Sequence, residues 1–324
     1  ITSKKDHVNK MRSIIDLFPK SNIILATDDD REGEAIAWHI CDTFNLPVHS
    51  THRITFHEIT ESAIKKALRH KKTIDMDTVY TQFARQVLDI LVGFRVSPIL
   101  WKYLYNSKDN GLSAGRCQSP ALRLVYDNEM EKKSGSGIIK MYKTTACFLS
   151  KNIEFNLSRE LEENQISNFM SKSVNYPHIL SIGSPNDIEK EPPLPMNTSL
   201  LLQLASNTLH LSPKDTMALC QILYQDGHIT YMRTENTKYS KDFLDVVGSH
   251  ISNKYGNKYT GNLDKLENKN ENNPHEAIRV THIDICELIG KYDGKIVSLY
   301  KLIWRTTIES CMSNYKASTV ECRI

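Results

Sequence analysis

Apolar positions along the chain follow several distinct rhythms. Ile23-Ile24-Leu25-Ala26 is a short unbroken apolar run, which predicts a buried parallel strand. After a charged turn, Ala35 to Phe44 takes up a helical period. Ile54-Thr55-Phe56 predicts a second strand and Glu61 to Arg69 a second helix. Strand, helix, strand, helix is the pattern of an α/β unit. Farther on, Phe83, Val87, Ile90, Leu91 and Phe94 share one helical face. Ser97-Pro98 predicts an N-cap and first helical position for a new helix through Trp101, and Ser119-Pro120 repeats the device before Ala121 to Glu131.

Alternation then replaces the helical period. Thr144 to Leu149 and Ile153 to Leu157 read as strands, reached through the flexible stretch Lys133-Ser134-Gly135-Ser136-Gly137, the best linker candidate. Three prolines between Glu189 and Pro195 mark a boundary. Helix resumes from Thr198 to about Tyr224, Asn262 to Asn273 reads as an exposed loop, Ile283 to Ser310 as mostly helix, and Ser318 to Ile324 as strand. The fold class expected is multidomain: α/β, then α, then β.

Composition narrows the class without naming a function. The chain has 324 residues, 40% apolar and 24% charged, with only 13 Gly and 11 Pro. That is ordinary globular usage, and it excludes collagen-like and low-complexity chains. No apolar run reaches membrane-spanning length, and the start of the chain does not read as a signal peptide. The net charge of +3 is weak, so a polyanionic partner would need local positive charge. Seven cysteines, none in C-x-x-C spacing, argue against a disulfide framework or a zinc finger and fit a reducing, cytosol-like compartment. The first residue is Ile1 and the last closes a strand-like run, so a fragment of a longer protein is expected.

Five segments carry candidate chemistry. In Ala26-Thr27-Asp28-Asp29-Asp30-Arg31-Glu32-Gly33-Glu34, acidic side chains crowd the carboxyl end of a strand, where α/β sheets place ligands. Asp28, Asp30 and Glu32 there suit Mg²⁺, which binds one or two carboxylates and keeps waters for a phosphate; the plainer alternative is a solvated acidic turn capping a helix. Gly111 to Pro120 holds small residues, Arg116 and Gln118 before a helix N-terminus, where free N–H groups attract phosphate. Gly227 to Glu235 carries Thr230, Tyr231 and Arg233. A Tyr can act as nucleophile, although a half-buried strand Tyr is the commoner case. Asn273-Pro274-His275-Glu276-Ala277-Ile278-Arg279 has the marks of a capped helix start, with His275 and Arg279 on one face. Arg85 and Asp89, four apart, are an ion pair or a polar face opposite the apolar stripe.

In this order and spacing the segments resemble the type IA DNA topoisomerases, closest to the bacterial topoisomerase I branch, over nearly the whole chain. ATDDDREGEAIAWHI is similar to the family's Toprim acidic motif and RITFHEIT to the segment after it. ARQVLDILVGFRVSPILWK and LSAGRCQSPALRLV resemble the helical domain at the DNA groove. MALCQILYQDGHITYMRTENT resembles the active-site tyrosine region, and NPHEAIR the histidine motif.

The resemblance implies Tyr231 as nucleophile, with Arg233, Glu32 and His275 as catalytic partners, and Asp28, Asp30 and Glu32 as Mg²⁺ carboxylates. It places Arg85, Asp89, Ser113, Gly115, Arg116, Gln118, Arg233 and His275 against single-stranded DNA. Gln86 stands where bacterial relatives commonly carry a second Arg. The family's opening strand, with a Glu and a following Lys, and its later segments, including any zinc-binding tail, have no counterpart here.

The implied organisation is a type IA toroid with an incomplete Toprim domain at 1–73, a helical DNA-binding domain at 74–133, part of a β-rich arch at 138–190 and 313–324, and a helical tyrosine-bearing domain at 191–312. The implied activity is ATP-independent relaxation of negatively supercoiled DNA through a 5′-phosphotyrosine. The protein would be a monomer with no membrane partner, cytoplasmic and nucleoid-associated if bacterial, at sites of DNA replication if viral. The other readings of the same residues are a Toprim-type Mg²⁺-dependent nuclease and an inactive DNA-binding fragment.

Overall fold

The structure is a computed structural model that describes residues 4–104, 111–134, 141–148, 153–269 and 275–324. The chain divides into two compact units, one of residues 1–85 and 190–315, the other of residues 86–189 and 316–324. The return to the first unit at Lys190 falls inside the proline-rich boundary, where Pro192, Pro193 and Pro195 discourage regular pairing.

The first unit opens with α1 (Lys5–Ile15), then a parallel pair, β1 (Ile24–Leu25) and β2 (His52–Arg53), joined through α2 (Arg31–Phe44). Parallel strands need such a crossover. Helix α2 starts where Asp30 accepts the Gly33 N–H at 2.7 Å, and ends at Asn45 in the left-handed region. Its buried face, with Ala37, Cys41 and Phe44, packs with Leu25, Leu46, Ile74 and Val79. The second strand lies two residues earlier than the apolar run Ile54-Thr55-Phe56 predicts. Arg53 is in the ladder, almost fully buried, because Glu34 neutralises it at 2.8 Å. Helix α3 (Glu61–Arg69) follows, capped by the Thr60 hydroxyl.

Helix α4 (Met76–Tyr103) runs through Pro98 without a break, correcting the expected new helix at Ser97-Pro98. Ser97 caps nothing; it is buried, and its hydroxyl accepts the Ala114 N–H at 3.1 Å. The apolar stripe on this helix is also exposed among the described residues. Val87, Ile90, Leu91 and Phe94 all stand more than half open to solvent.

The larger core of the first unit gathers around α7 (Thr198–Leu209), α8 (Pro213–Gln225), α9 (Lys241–Tyr255) and α10 (Gly294–Ser310). Caps punctuate it: Asn197 accepts Leu200 N–H, and Ser212 accepts Asp215 N–H ahead of Pro213. Helix α10 begins only at Gly294, so the helix expected from Ile283 starts late. Gly290 at φ 113° breaks the backbone, while Ile283 and Leu288 are still buried. Leu263 to Leu266 forms a 3₁₀ turn whose two leucines pack on the core, in place of the expected exposed loop; 270–273 lie outside the described residues.

The second unit holds the rest of α4, then α5 (Gln118–Ser134), which starts one residue before Ser119. The Ser119 hydroxyl accepts Gly115 N–H at 3.1 Å. Residues 135–137 of the linker candidate lie outside the described residues. Short antiparallel pairs follow. β3 (Met141–Tyr142) pairs with β6 (Leu161–Glu162), and β4 (Thr145–Phe148) with β5 (Ile153–Asn156). After α6 (Glu163–Val174), β7 (Ser181–Ile182) pairs with β10 (Cys322–Arg323). The chain passes between the units along a pair made of β8 (Asn186–Lys190) and β9 (Tyr315–Thr319). Among the described residues no helix is long and apolar enough to cross a membrane.

Candidate active site

The acidic turn sits between β1 and α2. Its shape depends on Gly33: a Cβ there would lie 2.0 Å from the Asp28 carbonyl oxygen. The Thr27 hydroxyl donates to Gly33 O, and Arg53 donates to Thr27 Oγ1 and to Asp28 O. The turn is therefore held from beneath by a buried Arg53–Glu34 pair, with Glu34 also accepting Asp75 N–H. Burial, then the neighbouring charge of Asp30, raises the Asp28 pKa above 3.8, while Arg233 and Arg53 pull it down.

Tyr231 follows the turn that ends α8. Gly227 there has φ 77°, and a Cβ on it would meet Ile59 O at 2.5 Å. Thr230 N–H donates to Arg279 O and Tyr231 N–H to His57 O at 2.8 Å. The Tyr231 ring is buried, edge-on to Tyr224 and stacked on His275 at 5.5 Å and 26°. Its hydroxyl donates to Asp30 Oδ2 at 2.7 Å. Burial first, then Asp30 as acceptor and as charge, push the phenol pKa far above its usual value of 10.

Arg233, two residues on, reaches Glu32 at 3.2 Å. Thr198 braces this segment, its hydroxyl donating to Met232 O and accepting Thr234 N–H. Asp30, Arg31, Glu32, Arg85, Thr198, Arg233, Thr234, Glu235 and His275 line one open cleft of about 610 Å³. Three arginines and a histidine facing one cleft beside a tyrosine hydroxyl can receive a phosphodiester.

The sequence-expected residues divide accordingly. Tyr231, Asp30, Glu32, Arg233, His275 and Arg85 come together. Asp28 adjoins them in the acidic turn, but no group of three or more His, Cys, Asp or Glu side chains among the described residues is gathered closely enough to hold a metal, and Glu32 is engaged by Arg233. Hard carboxylate oxygens at Asp28 and Asp30, with the Asp28 charge disfavoured by its neighbour, still fit a Mg²⁺ held by two carboxylates and water. In the second unit Asp89 is taken by Arg116 at 2.9 Å, and Gln118 donates to Ser113 Oγ at 3.1 Å beside Gly115.

Asn273 and Pro274 lie outside the described residues, and residues 275–280 are not the expected helix. They are extended, with bridges from Ile278 to Met196 and from Val280 to Ile229. Glu276 accepts Ser240 N–H and pairs with Arg279 at 2.7 Å. Arg279 consequently leaves the phosphate side. It is buried against Glu58 at 3.0 Å and lies over the Phe243 ring at 4.2 Å. Sequence reasoning passed over Arg53, Glu34, His57 and Glu58. The signal was the charge set inside apolar surroundings in Arg53 to Thr60, which demands buried partners.

A family model described as DNA topoisomerase matches residues 73–324, and a Toprim domain model matches residues 1–59. The chain is 35% identical over 319 residues to DNA topoisomerase 1 of Buchnera aphidicola subsp. Schizaphis graminum, covering 93% of this chain and 36% of that protein. The full-length topoisomerase I from Thermotoga maritima superposes with a TM-score of 0.71 at 30% identity, over 99% of this chain and 53% of that one. The chain belongs to the type IA DNA topoisomerases, with the mixed Toprim α/β, helical and β organisation of that family. It spans about a third of the Buchnera protein's length and about half of the Thermotoga chain.

Proposed function

We propose that this chain carries the cleavage–religation centre of an ATP-independent topoisomerase that relaxes negatively supercoiled DNA. The observation that carries this reading is the 2.7 Å hydrogen bond from Tyr231 to Asp30, which joins the tyrosine and Toprim motifs at one cleft. Tyr231 Oη attacks a backbone phosphorus of single-stranded DNA. The bond from phosphorus to O3′ breaks, leaving a 5′-phosphotyrosine and a 3′-OH. The proton lost by Tyr231 is balanced by the one gained at O3′.

Arg233 and His275 stabilise the charge on the pentacoordinate phosphorus, since preorganised donors act where charge develops. A Mg²⁺ held by Asp28 and Asp30, with Glu32 in reach of the same cleft, would supply further charge stabilisation at the phosphoryl oxygens. Because the covalent link stores the phosphodiester energy, resealing needs no nucleotide. In the first unit Arg85 is a proposed DNA contact; within the second unit Asp89, Ser113, Gly115, Arg116 and Gln118 are proposed DNA contacts. The four-part division at 1–73, 74–133, 138–190 with 313–324, and 191–312 belongs to the same proposal.

The test is incubation with end-labelled single-stranded oligonucleotide and Mg²⁺, followed by denaturation. Label retained on the protein through a 5′ phosphate supports the reading. Cut DNA with no protein-linked end would replace it with a nuclease.

A further inference from the structure

Three consecutive residues after β2 form the bed on which the tyrosine segment lies. His57 O accepts Tyr231 N–H at 2.8 Å, Glu58 pairs with Arg279 at 3.0 Å, and Ile59 O meets Gly227 so closely that no side chain fits there. His57 does more than lend its backbone. Its ring stands edge-on to His275, with centroids 5.6 Å apart at 72°, and His275 in turn stacks on Tyr231. Its Nε2 lies 3.9 Å from Asp29 Oδ2, in the middle of the acidic turn. The three rings thus form a row that begins beside the acidic turn and ends at the nucleophile.

The Nδ1 atoms of both His57 and His275 are buried and have no hydrogen-bond partner among the described residues. That end of each ring is held by packing. Edge-to-face ring pairs have a preferred geometry and add stability beyond the area they bury. If His57 is removed, His275 loses the ring edge that it packs against, and no bond at Nδ1 from the described residues replaces it. A misplacement on the order of 1 Å beside a reacting phosphate is costly to rate, whereas it changes ground-state binding little.

We propose that His57 is a positioning residue for the transesterification described above, its ring fixing the orientation in which His275 faces Tyr231 and the phosphate. The inference rests on that reading of the site for its functional part, and on ring geometry alone for its structural part.

Two variants test it in the full chain, His57→Ala and His57→Phe. Under single-turnover conditions His57→Ala should lower the rate of covalent adduct formation at saturating oligonucleotide by roughly fivefold to tenfold, with half-saturation within about twofold. His57→Phe restores an aromatic edge and should recover the rate to within about threefold. In ¹H–¹³C spectra of labelled chain, the His275 ring signals, identified through His275→Gln, should move in His57→Ala and return toward native positions in His57→Phe. His275 signals unmoved in His57→Ala overturn the inference whether or not adduct forms. Equal losses in both variants also overturn it, because the ring edge would then not be what matters. Absence of adduct from the native chain overturns the cleavage activity proposed for it instead, and the ring signals alone then decide the role of His57.

Discussion

Tyr231 Oη and Asp30 Oδ2 are separated by 201 positions in sequence and 2.7 Å in space. The tyrosine donates, and the carboxylate is simultaneously the cap of α2 through Gly33 N–H. One rigid helix terminus thus sets where the phenol oxygen sits. Burial first, and then this same neighbour, keep the phenol protonated, because both a buried site and an adjacent carboxylate disfavour phenolate. The Tyr231 hydroxyl is therefore neutral at rest, and the nucleophilic role proposed for it requires that proton to leave during attack.

Tyr231→Phe tests the nucleophile. The substitution removes one hydroxyl from a buried ring, so the chain should stay folded with stability changed by about 1 kcal/mol. Oligonucleotide binding should be retained and covalent adduct should vanish. Denaturing gels and a thermal melt check both; adduct persisting in the variant would assign the chemistry to another residue.

Arg233→Ala separates chemistry from stability. The Arg233–Glu32 pair is about half exposed on both sides. Exposed pairs contribute little, so the melting transition should shift by less than about 1 kcal/mol equivalent. The cleavage rate should fall by roughly 10²–10³, the usual loss for one preorganised charge-stabilising donor. Comparing single-turnover cleavage with urea unfolding is the measurement.

Asp28 carries a pH signature. Its folded pKa lies above 3.8, so the folded chain binds that proton more tightly than the unfolded chain does. This contribution to stability is fully present below about 3.8 and is lost as pH rises through the folded value. At neutral pH the ionised Asp28 is therefore a small liability. Asp28→Asn should raise the melting temperature at pH 7 without divalent cation, leave it nearly unchanged at pH 3, and remove any rise produced by Mg²⁺ in the native chain. Melting curves at both pH values, with and without Mg²⁺, decide it.

Gly33→Ala should damage the fold at the acidic turn. The added Cβ meets backbone at 2.0 Å, which no side-chain rotation relieves. A loss of about 1–3 kcal/mol is expected from such overpacking, read as a lower urea midpoint. A neutral result would mean that the turn yields without cost.

Much of this arrangement was legible where a local rule coincides with a tertiary need. The span Glu61–Arg69 matches its helix because Thr60 both caps it and bounds its apolar period. Tyr231, Arg233, Asp30 and Glu32 were singled out through their motifs; Asp30, Glu32 and Arg233 line one cleft, and Tyr231 bonds Asp30. Two of the failures share a cause: a residue with a strong local habit was recruited by a distant partner. Ser97 takes Ala114 N–H instead of capping a helix, and Glu276 serves Ser240 and Arg279 instead of its own first turn. The apolar stripe of α4 obeys the helical period yet stays uncovered among the described residues, since periodicity reports a face and not what lies against it.

Arg279 illustrates a consequence for motion. It holds two carboxylates, Glu276 three residues away on its own segment and Glu58 on the segment that follows β2. A buried cation stripped of its only anion costs several kcal/mol. Here, parting the two segments leaves Arg279 with Glu276 and releases Glu58 into water, so no charge is stranded. Tyr231–Asp30, Arg233–Glu32 and Lys66–Asp242 cross the same seam, and each ends on groups that water can satisfy. Parting this seam would hand its polar contacts to water, but it would also uncover the apolar contact that Ile59 makes with the larger core.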